Sequence, residues 1–422
     1  MTITLPATEE PVWSVQHLVG FDDQTFSSGV LTALSCHSAA ERHVLVTPNC
    51  VAPETYNARI LELRDHNVDA TFLRLDDLEL PTHDPDTPPS PTRAGHKLRN
   101  ALADSLAALV SKHQHKVLIL AGGFTPESLK STTWALGHLS SERLAAFVAT
   151  GLRASELVLW KEVDGVFTSD PLKVPTARLL PILSFPEMAE LANRSPDICD
   201  AGAIKQAYHG RVPVRIRNIN NFGCQGTLIH SDPETTPQAK VSSISTETFQ
   251  GRRISDFAKE APKQTRLPTA VTIREHVVLI DISSHFETEA QGGFVSEVFS
   301  TLNRHPVAVD LISTSETHVS VAIHAVTSGT SLHHLIHELE ECGTVSVREG
   351  MTILSLIGRQ MPSMIGIAGQ MFTTLARRNI NIEMMSQSAS EINISCVING
   401  KDAMKALNLV HHSCLGKMNV LQ

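Results

Sequence analysis

The stretch ELVLWKEVDGVFTSDPLKVP, residues 156–175, joins an apolar run to polar residues that suit ligand binding. No polar residue interrupts the run from Leu157 to Trp160, which is typical of a strand buried on both faces. A turn at Asp164-Gly165 follows, and then the cluster Thr-Ser-Asp-Pro at 168–171. Hydroxyl and carboxyl groups in such a loop could hold a phosphorylated ligand or a carboxylate. The stretch therefore predicts a binding loop at the end of a buried strand, for which the rest of the chain must supply partners.

The elements that would position this loop are short β-branched runs separated by helical patterns. Such alternation predicts a largely parallel sheet covered by helices on both faces. The predicted strands are HVLVTP (43–48), KVLILAGGF (116–124), ELVLW (156–160) and VPVRIRN (212–218).

The pattern changes after a polar stretch with little periodicity at 230–269, which predicts a domain boundary. Beyond it, the order strand, helix, strand, strand, helix occurs twice, which indicates an internal repeat of a ferredoxin-like module. The first copy is predicted at 275–283, 292–305, 307–314, 318–325 and 331–343, and the second at 351–358, 366–379, 380–387, 391–400 and 400–414.

Length and composition limit the possible functions. A chain of 422 residues predicts two or three domains, since single cores rarely grow beyond about 250 residues. The net charge of −9, without a basic stripe, disfavours nucleic acid as a partner, and no apolar run reaches the roughly 18–20 residues of a membrane span. Seven scattered Cys predict free thiols and no metal site, and an N-terminus without a signal-peptide pattern predicts a cytoplasmic location.

The second half resembles the tandem ACT domains of fungal aspartokinases, at VDLISTSETHVSVAIH (309–324) and MIGIAGQMFTTLARRNINIEMMSQSASEINISCVI (364–398). The first half resembles the amino-acid kinase domain of that family, at ASELVLWKEVDGVFTSDPLKVPTARLLPILSFPEMAELA (154–192) and VPVRIRNINNFGCQGTLI (212–229). The resemblance implies an α/β, amino-acid-kinase-like three-layer sandwich with a mainly parallel sheet, followed by tandem ferredoxin-like ACT domains.

This resemblance predicts four segments. They are a degenerate kinase-like domain at 1–235, a linker at 236–269, a first ACT domain at 270–348 and a second at 349–422, the two ACT domains being consecutive or interleaved.

The chain departs from the family at the motifs that handle phosphate and aspartate. The family's KFGGTS loop corresponds to QHLVGFDD, with His17 in place of the Lys and Asp22 adding a negative charge beside the phosphates. A neutral imidazole does not replace a permanently charged ammonium. The Gly-rich element corresponds to GHLSSE, which keeps Ser141 and Glu142, and Asp200 stands where the family has a His. Residues 48–115 are also too few for the family's substrate-binding helical lobe.

The site residues follow from the resemblance, residue by residue. The candidate catalytic residues are His17, Ser141, Glu142 and Asp200. The residues implied for the nucleotide and Mg²⁺ environment are Trp160, Asp164, Phe167, Thr168, Asp170 and Lys173. The residues implied for an amino-acid effector between the ACT modules are Asp310, Ser313, Thr314, Ser315, Glu316, Met364, Ile365, Gly366, Asn381, Ile382 and Gln387.

Three functions remain open at this point. The chain is a pseudo-aspartokinase that has lost aspartate phosphorylation, or a protein whose pocket serves another reaction, for example in specialised metabolism. Alternatively, it is an active kinase that makes 4-phospho-L-aspartate for threonine, methionine and lysine synthesis. The polar residues that would rebuild a redirected pocket are His17, Asp22, His138, Glu142, Asp164 and Asp200.

The partners depend on which function holds. ATP and Mg²⁺ are the expected cofactors if kinase activity is retained. The ACT half is expected to bind an amino acid and to form a homodimer, or a mixed dimer with a full-length aspartokinase. No membrane and no nucleic acid is expected to bind.

Overall fold

A computed structural model describes residues 13–17, 42–47, 63–74, 104–105, 108, 117–121, 140–231, 248–249, 252–253, 267–284, 293–305, 307–324, 329–387 and 391–416. The chain divides into two units. The first comprises Met1–Val166 and Leu179–Pro237, and the second comprises Phe167–Arg178 and Gln238–Gln422. The second unit therefore includes a short segment from the first half of the sequence.

The first unit is built on an eight-stranded sheet with the strand order β3-β4-β2-β1-β5-β7-β8-β6. All neighbours pair in parallel except β7 and β8, which confirms the predicted mainly parallel sheet. The strands are β1 (Trp13–His17), β2 (Arg42–Thr47), β3 (Ala70–Arg74), β4 (Val117–Ala121), β5 (Glu156–Lys161), β6 (Ile182–Ser184), β7 (Val214–Asn218) and β8 (Thr227–His230).

Three described helices accompany this sheet, and each begins at a residue suited to the first turn. α1 (Ser141–Gly151) follows Ser140, whose side chain accepts a hydrogen bond from the Arg143 amide. α2 (Phe185–Arg194) begins with a capping box between Ser184 and Glu187, and α3 (Ala201–Gly210) is capped by Asp200. Side-chain caps of this kind satisfy backbone amides that have no partner inside the helix.

Strand β5 lies at the centre of the first unit's core. The side chains from Leu157 to Trp160 are all fully buried, as the uninterrupted apolar run predicts. Parallel pairing with β1 on one side and β7 on the other holds the strand in place.

The second unit contains a six-stranded antiparallel sheet with the order β12-β13-β11-β14-β16-β15. Its element order repeats the pattern strand, helix, strand, strand, helix, as predicted. The strands are β9 (Thr248–Phe249) and β10 (Arg252–Arg253), which form a separate hairpin, and β11 (Ala270–Ser284), β12 (Val309–Thr314), β13 (His318–His324), β14 (Gly343–Ile357), β15 (Met384–Gln387) and β16 (Asn393–Asn399). The helices are α4 (Gly293–Arg304), α5 (Gly329–Cys342), α6 (Ile367–Ala376) and α7 (Ala403–Val410), with 3₁₀ turns at Met361–Ser363 and Gly400–Asp402 and a π-helical turn at His411–Leu415. None of the described helices is long and apolar enough to cross a membrane.

The segment Phe167–Arg178 packs inside the second unit. Val174 is 1% exposed and belongs to a core cluster with residues of α6, α7 and β16. The Val271 amide donates a hydrogen bond to the Thr168 carbonyl (2.9 Å), and the Arg178 guanidinium donates to the Leu415 carbonyl (2.9 Å). The segment is therefore a structural part of the C-terminal unit.

His411 joins two points of that segment. Its Nε2 lies 3.0 Å from the Thr168 hydroxyl, and its Nδ1 lies 3.4 Å from the Thr176 hydroxyl. Burial lowers the pKa of His411 below its ordinary value, and the charges of Arg178 and His412 act in the same direction. The folded protein therefore favours the neutral imidazole.

This lowered pKa predicts that the second unit loses stability in mild acid. The unfolded chain binds the proton more readily, so the free energy of unfolding should fall as the pH drops below about 6.5, the ordinary histidine value. We expect the amides of β14 and β16 to lose hydrogen-exchange protection between pH 7.5 and pH 5.5, after correction for intrinsic rates. The loss should be smaller in His411→Gln, although His324, whose pKa is also lowered, would still contribute. An identical pH dependence in the wild-type protein and in His411→Gln would contradict this role of His411.

Candidate functional site

The candidate site of the first unit lies at the carboxyl edge of the parallel strands. His17 ends β1 and is paired in register with Leu159, while Lys161 ends β5 and is paired with Asn218 at the end of β7. Open parallel sheets bind ligands at this edge. The predicted residues His17, Trp160 and Asp164 thus lie at or near the carboxyl edge of the sheet. Asp22 and His138 lie outside the described residues.

Glu142 is held between a cation and a backbone amide. One of its carboxylate oxygens pairs with the Lys161 ammonium, and the other accepts a hydrogen bond from the Asp200 amide (2.7 Å). Glu142 is 9% exposed, so this pair is formed in a poorly solvated place. Its predicted neighbour Ser141, which is half-buried, begins α1. Lys161 was not predicted as a site residue. Its position directly after the buried apolar run is the sequence signal that could have identified it.

Asp200 uses both carboxylate oxygens within the protein. One accepts from the Arg143 guanidinium (2.8 Å) and from the Gly202 amide (2.6 Å), and the other accepts from the Ser140 hydroxyl. Burial alone would raise the pKa of Asp200, but the hydrogen bonds from Ser140 and Arg143 and the charge of Arg143 outweigh it, and the pKa lies below its ordinary value. The carboxylate is therefore ionised and caps α3.

Asp164 is oriented by two asparagine side chains. Its Oδ1 accepts hydrogen bonds from Asn218 Nδ2 (2.7 Å) and from Asn221 Nδ2 (3.0 Å). The neighbouring Gly165 has φ +141°, and a side chain there would collide with the Thr227 hydroxyl. Only glycine suits this turn, which fixes the backbone beside Asp164. Neither asparagine was predicted, although both belong to the polar run RNINN that follows β7.

Trp160, near the end of β5, is fully buried. Its indole Nε1 donates a hydrogen bond to Gln16 Oε1 (3.2 Å). The Arg217 guanidinium lies 5.1 Å from the ring centroid, and the Phe222 ring meets the indole edge at a centroid distance of 5.7 Å. Trp160 therefore packs against residues of β1 and the end of β7 and has no exposed surface for a ligand.

The other residues predicted to bind the nucleotide belong to the second unit. The Thr168 hydroxyl accepts from the Arg178 amide (2.9 Å), besides its contact with His411, and Lys173 pairs with Glu275 (2.5 Å). Asp170 is exposed and accepts from the Leu172 amide (2.9 Å), and Phe167 is half-buried.

The predicted effector residues lie on or directly after β12, on or just before β15, and, for Met364, Ile365 and Gly366, directly before α6. These strands, β12 and β15, also contact each other, and Leu311 and Met384 share one buried cluster. The exposed members of the set are Ser313, Thr314, Ser315, Glu316, Ile365, Gly366, Asn381 and Gln387, and the half-buried members are Met364 and Ile382. The contact between β12 and β15 thus brings together only the members of the set that lie on or beside these two strands.

Asp310 differs from the rest of this set because it is buried in an ion pair. Its Oδ1 lies 2.9 Å from Arg274 Nη1, and its side chain is 9% exposed. The register between β12 and β13 shifts around this residue, which marks a β-bulge that redirects the side chain. Asn381 donates to Glu383 (2.9 Å), so it is also held by a neighbour.

Comparison with known proteins gives matches in both halves of the chain. The model of the amino acid kinase family matches residues 57–218, and the model of the ACT domain matches residues 354–413. The aspartokinase of Schizosaccharomyces pombe is 40% identical over 325 residues, which are 74% of this chain and 59% of that protein. Aspartate kinase FUB3 of Gibberella moniliformis is 36% identical over 365 residues, which are 84% of this chain and 68% of that protein.

The chain therefore matches about three-fifths of the length of the yeast relatives. The fold also matches the crystal structure of E. coli aspartokinase III in complex with aspartate and ADP, with a TM-score of 0.69. That match has 22% sequence identity and covers 96% of this chain and all of the other, which shows the shared fold.

The contacts of Asp200 predict that it is needed for stability. Asp200→Ala should lower the free energy of unfolding of the first unit by about 2–3 kcal/mol, because the helix cap and a charged hydrogen bond are lost. Asp200→Asn should cost less, since an amide oxygen still caps α3. Urea denaturation followed by tryptophan fluorescence reports on this unit because all three Trp lie before residue 161. Asp197→Ala, at an exposed position nearby, should change little, and an equally small effect of Asp200→Ala would contradict this role.

Proposed function

Because this chain belongs to the aspartokinase family, we propose that it is a member with a shortened, degenerate kinase domain that keeps a nucleotide-binding edge and an effector-binding ACT half. Its ancestral reaction is the ATP-dependent phosphorylation of L-aspartate to 4-phospho-L-aspartate. In this proposal that activity is lost or strongly impaired, and the protein acts as a regulatory or repurposed relative of the enzyme.

The observation that carries the proposal is the charge network of Glu142, Lys161, Asp200 and Arg143. Phosphoryl transfer depends on positive charge that is aimed at the moving phosphoryl group. Lys161 is already balanced by Glu142, and Arg143 by Asp200. Both oxygens of each carboxylate are also occupied within the protein. Substrate would have to displace these contacts before the groups could serve catalysis.

The N-terminal strand supports the same proposal. His17 ends β1 at the position where the family motif has a Lys. A histidine carries little positive charge near neutral pH unless its pKa is raised. In this proposal, the family's permanently charged Lys is therefore replaced by a residue that is a weaker cation in general.

The carboxylate of Asp164, unlike those of Glu142 and Asp200, has an oxygen that could bind a nucleotide. Asp164 directs one oxygen to two asparagines, and its other oxygen has no partner among the described residues. A carboxylate of this kind could accept hydrogen bonds from a nucleotide or join the oxygen ligands of Mg²⁺, which prefers one or two carboxylates plus phosphate. When bound, ATP and Mg²⁺ would supply the phosphoryl group and the charge that balances it.

A second candidate function is a working aspartate kinase. It is favoured by identities of 36–40% to proteins that are named aspartokinase or aspartate kinase. Measuring aspartyl phosphate as product separates the two candidates. Nucleotide binding without aspartyl phosphate would favour loss of the activity or a redirected pocket.

The ACT half is proposed to bind an amino acid where β12 and β15 meet. The contact between these strands and the exposed hydroxyls of Ser313, Thr314 and Ser315 support this position. A related structure is that of E. coli aspartokinase III in complex with lysine and aspartate. We also propose dimerisation through this half, with itself or with a full-length aspartokinase, and a cytoplasmic location.

The proposal predicts little or no aspartyl phosphate. Purified protein with Mg-ATP and L-aspartate, trapped with hydroxylamine, should give about 100-fold less hydroxamate than the S. pombe aspartokinase assayed in parallel, in line with the loss of a charge-stabilising group. Comparable product, abolished in Glu142→Gln, would establish the active kinase instead. Circular dichroism must show that both proteins are folded.

The effector proposal predicts that an amino acid stabilises the second unit. L-threonine or L-lysine at about 100 times its Kd should add about 2.7 kcal/mol to the free energy of unfolding and raise the Tm. Thr314→Val should weaken this shift because the exposed hydroxyl is lost, whereas Thr373→Val, an equal change at an exposed position of α6, should not. The D-enantiomers serve as controls. No shift with either amino acid, or equal loss in both variants, would contradict the proposed position.

A further inference from the structure

We propose that Phe222 is the stacking surface for the nucleotide base, and that Asn218 and Asn221 are positioning residues that turn Asp164 toward the ribose. This inference rests on the proposed nucleotide binding and names the residues that would carry it. None of the three was predicted from the sequence.

Phe222 is an aromatic side chain held in place at the carboxyl edge of the sheet. It is 38% exposed, whereas the neighbouring Trp160 is fully buried. The two rings meet at an interplanar angle of 61°, and the Phe222 carbonyl accepts a hydrogen bond from Arg217 Nη2 (3.2 Å). Contacts with both its ring and its backbone fix the residue while part of its surface stays accessible. A fixed, accessible aromatic ring suits a flat heterocycle, because every nucleobase has a face that stacks.

Asn221 links Asp164 to the segment that carries this ring. Asn221 precedes Phe222 in the chain and donates to Asp164 Oδ1 (3.0 Å). A base that stacks on Phe222 would therefore have its ribose near Asp164. A carboxylate suits that position because it accepts hydrogen bonds from ribose hydroxyls.

The two asparagines determine which way the carboxylate points. Both amides donate to the same oxygen, Oδ1, so they fix the plane of the group. Oδ2 has no partner among the described residues, so a ligand could bind it. Asn218 also supports the turn itself, since its own side-chain oxygen accepts from the Asn220 amide (2.8 Å). Asn221 is the cleaner test residue, because its amide binds Asp164 without that second hydrogen bond to the turn.

Calorimetric titration of the full chain with ADP, 2′-deoxyadenosine diphosphate and pyrophosphate separates the roles of base, ribose and phosphate. Phe222→Ala should weaken ADP binding by about 5–150-fold, the range that corresponds to about 1–3 kcal/mol of stacking per base, and should leave pyrophosphate unaffected. Phe222→Trp should retain ADP affinity. Tyr208→Ala is the matched control because Tyr208 is another exposed aromatic residue of the first unit, and it should bind ADP like the wild type.

The ribose arm compares ADP with the 2′-deoxy nucleotide. Wild-type protein should prefer ADP, Asp164→Asn should reduce that preference, and Asn221→Ala should reduce it without affecting pyrophosphate. A purely structural role for Asn221 would instead lower the affinities for all three ligands together, or only the Tm.

The possible outcomes distinguish the inference from the function on which it rests. If wild-type protein binds ADP while Phe222→Ala and Asn221→Ala bind it equally well, the inference is overturned and nucleotide binding stands. An equal loss in Tyr208→Ala overturns the inference too. If folded wild-type protein binds no ADP, both the inference and the proposed nucleotide edge fail.

Discussion

The burial of β5 on both faces is the constraint on which the first unit depends. Its four core side chains from Leu157 to Trp160 are fully covered, and parallel partners hold it on both edges. A strand in this position cannot shift without exposing its apolar residues. Its carboxyl end is therefore fixed, and so is the start of the segment that follows it. Lys161 and the turn at Asp164 are placed in this way at the carboxyl edge of the sheet. The chemistry of the edge is therefore a consequence of the packing below it.

The charges above β5 are arranged to satisfy one another. Glu142 and Lys161 are both mostly buried, and a charge in such a place is costly unless a partner of opposite sign is near. Asp200 and Arg143 form a second pair, and the Asp200 amide connects it to Glu142. Removal of one member would leave another buried charge without its partner. This mutual dependence gives both carboxylates a role in stability that does not require a role in catalysis.

Sequence reasoning recovered the architecture because the architecture depends on repeated local signals. The apolar run of β5 and the two strand-helix-strand-strand-helix patterns were sufficient for the fold class, and the observed strands and helices match them. Strands β1, β3 and β6 were not among the predicted strands. β1 contains the polar residues Ser14 and Gln16, and only the fold shows that both are buried. Site residues whose role depends on tertiary contacts were also missed. Nothing near Asn221 in sequence indicates that its amide meets Asp164, and the pairing of Arg274 with Asp310 joins two strands that are separated by β13.

Four of the residues predicted to bind the nucleotide, Phe167, Thr168, Asp170 and Lys173, belong to the segment Phe167–Arg178 of the second unit. Val174 lies in the core of the second unit, and the Thr168 hydroxyl contacts both His411 and the Arg178 amide. A ligand that required this hydroxyl would have to break contacts that stabilise the C-terminal core, so the free energy of such binding would depend on the state of the ACT half. By thermodynamic linkage, any amino acid that stabilises that core would oppose the binding of such a ligand in equal measure. Asp164 lies before this segment and has no such contact among the described residues, so a nucleotide held through Asp164 would not carry this penalty.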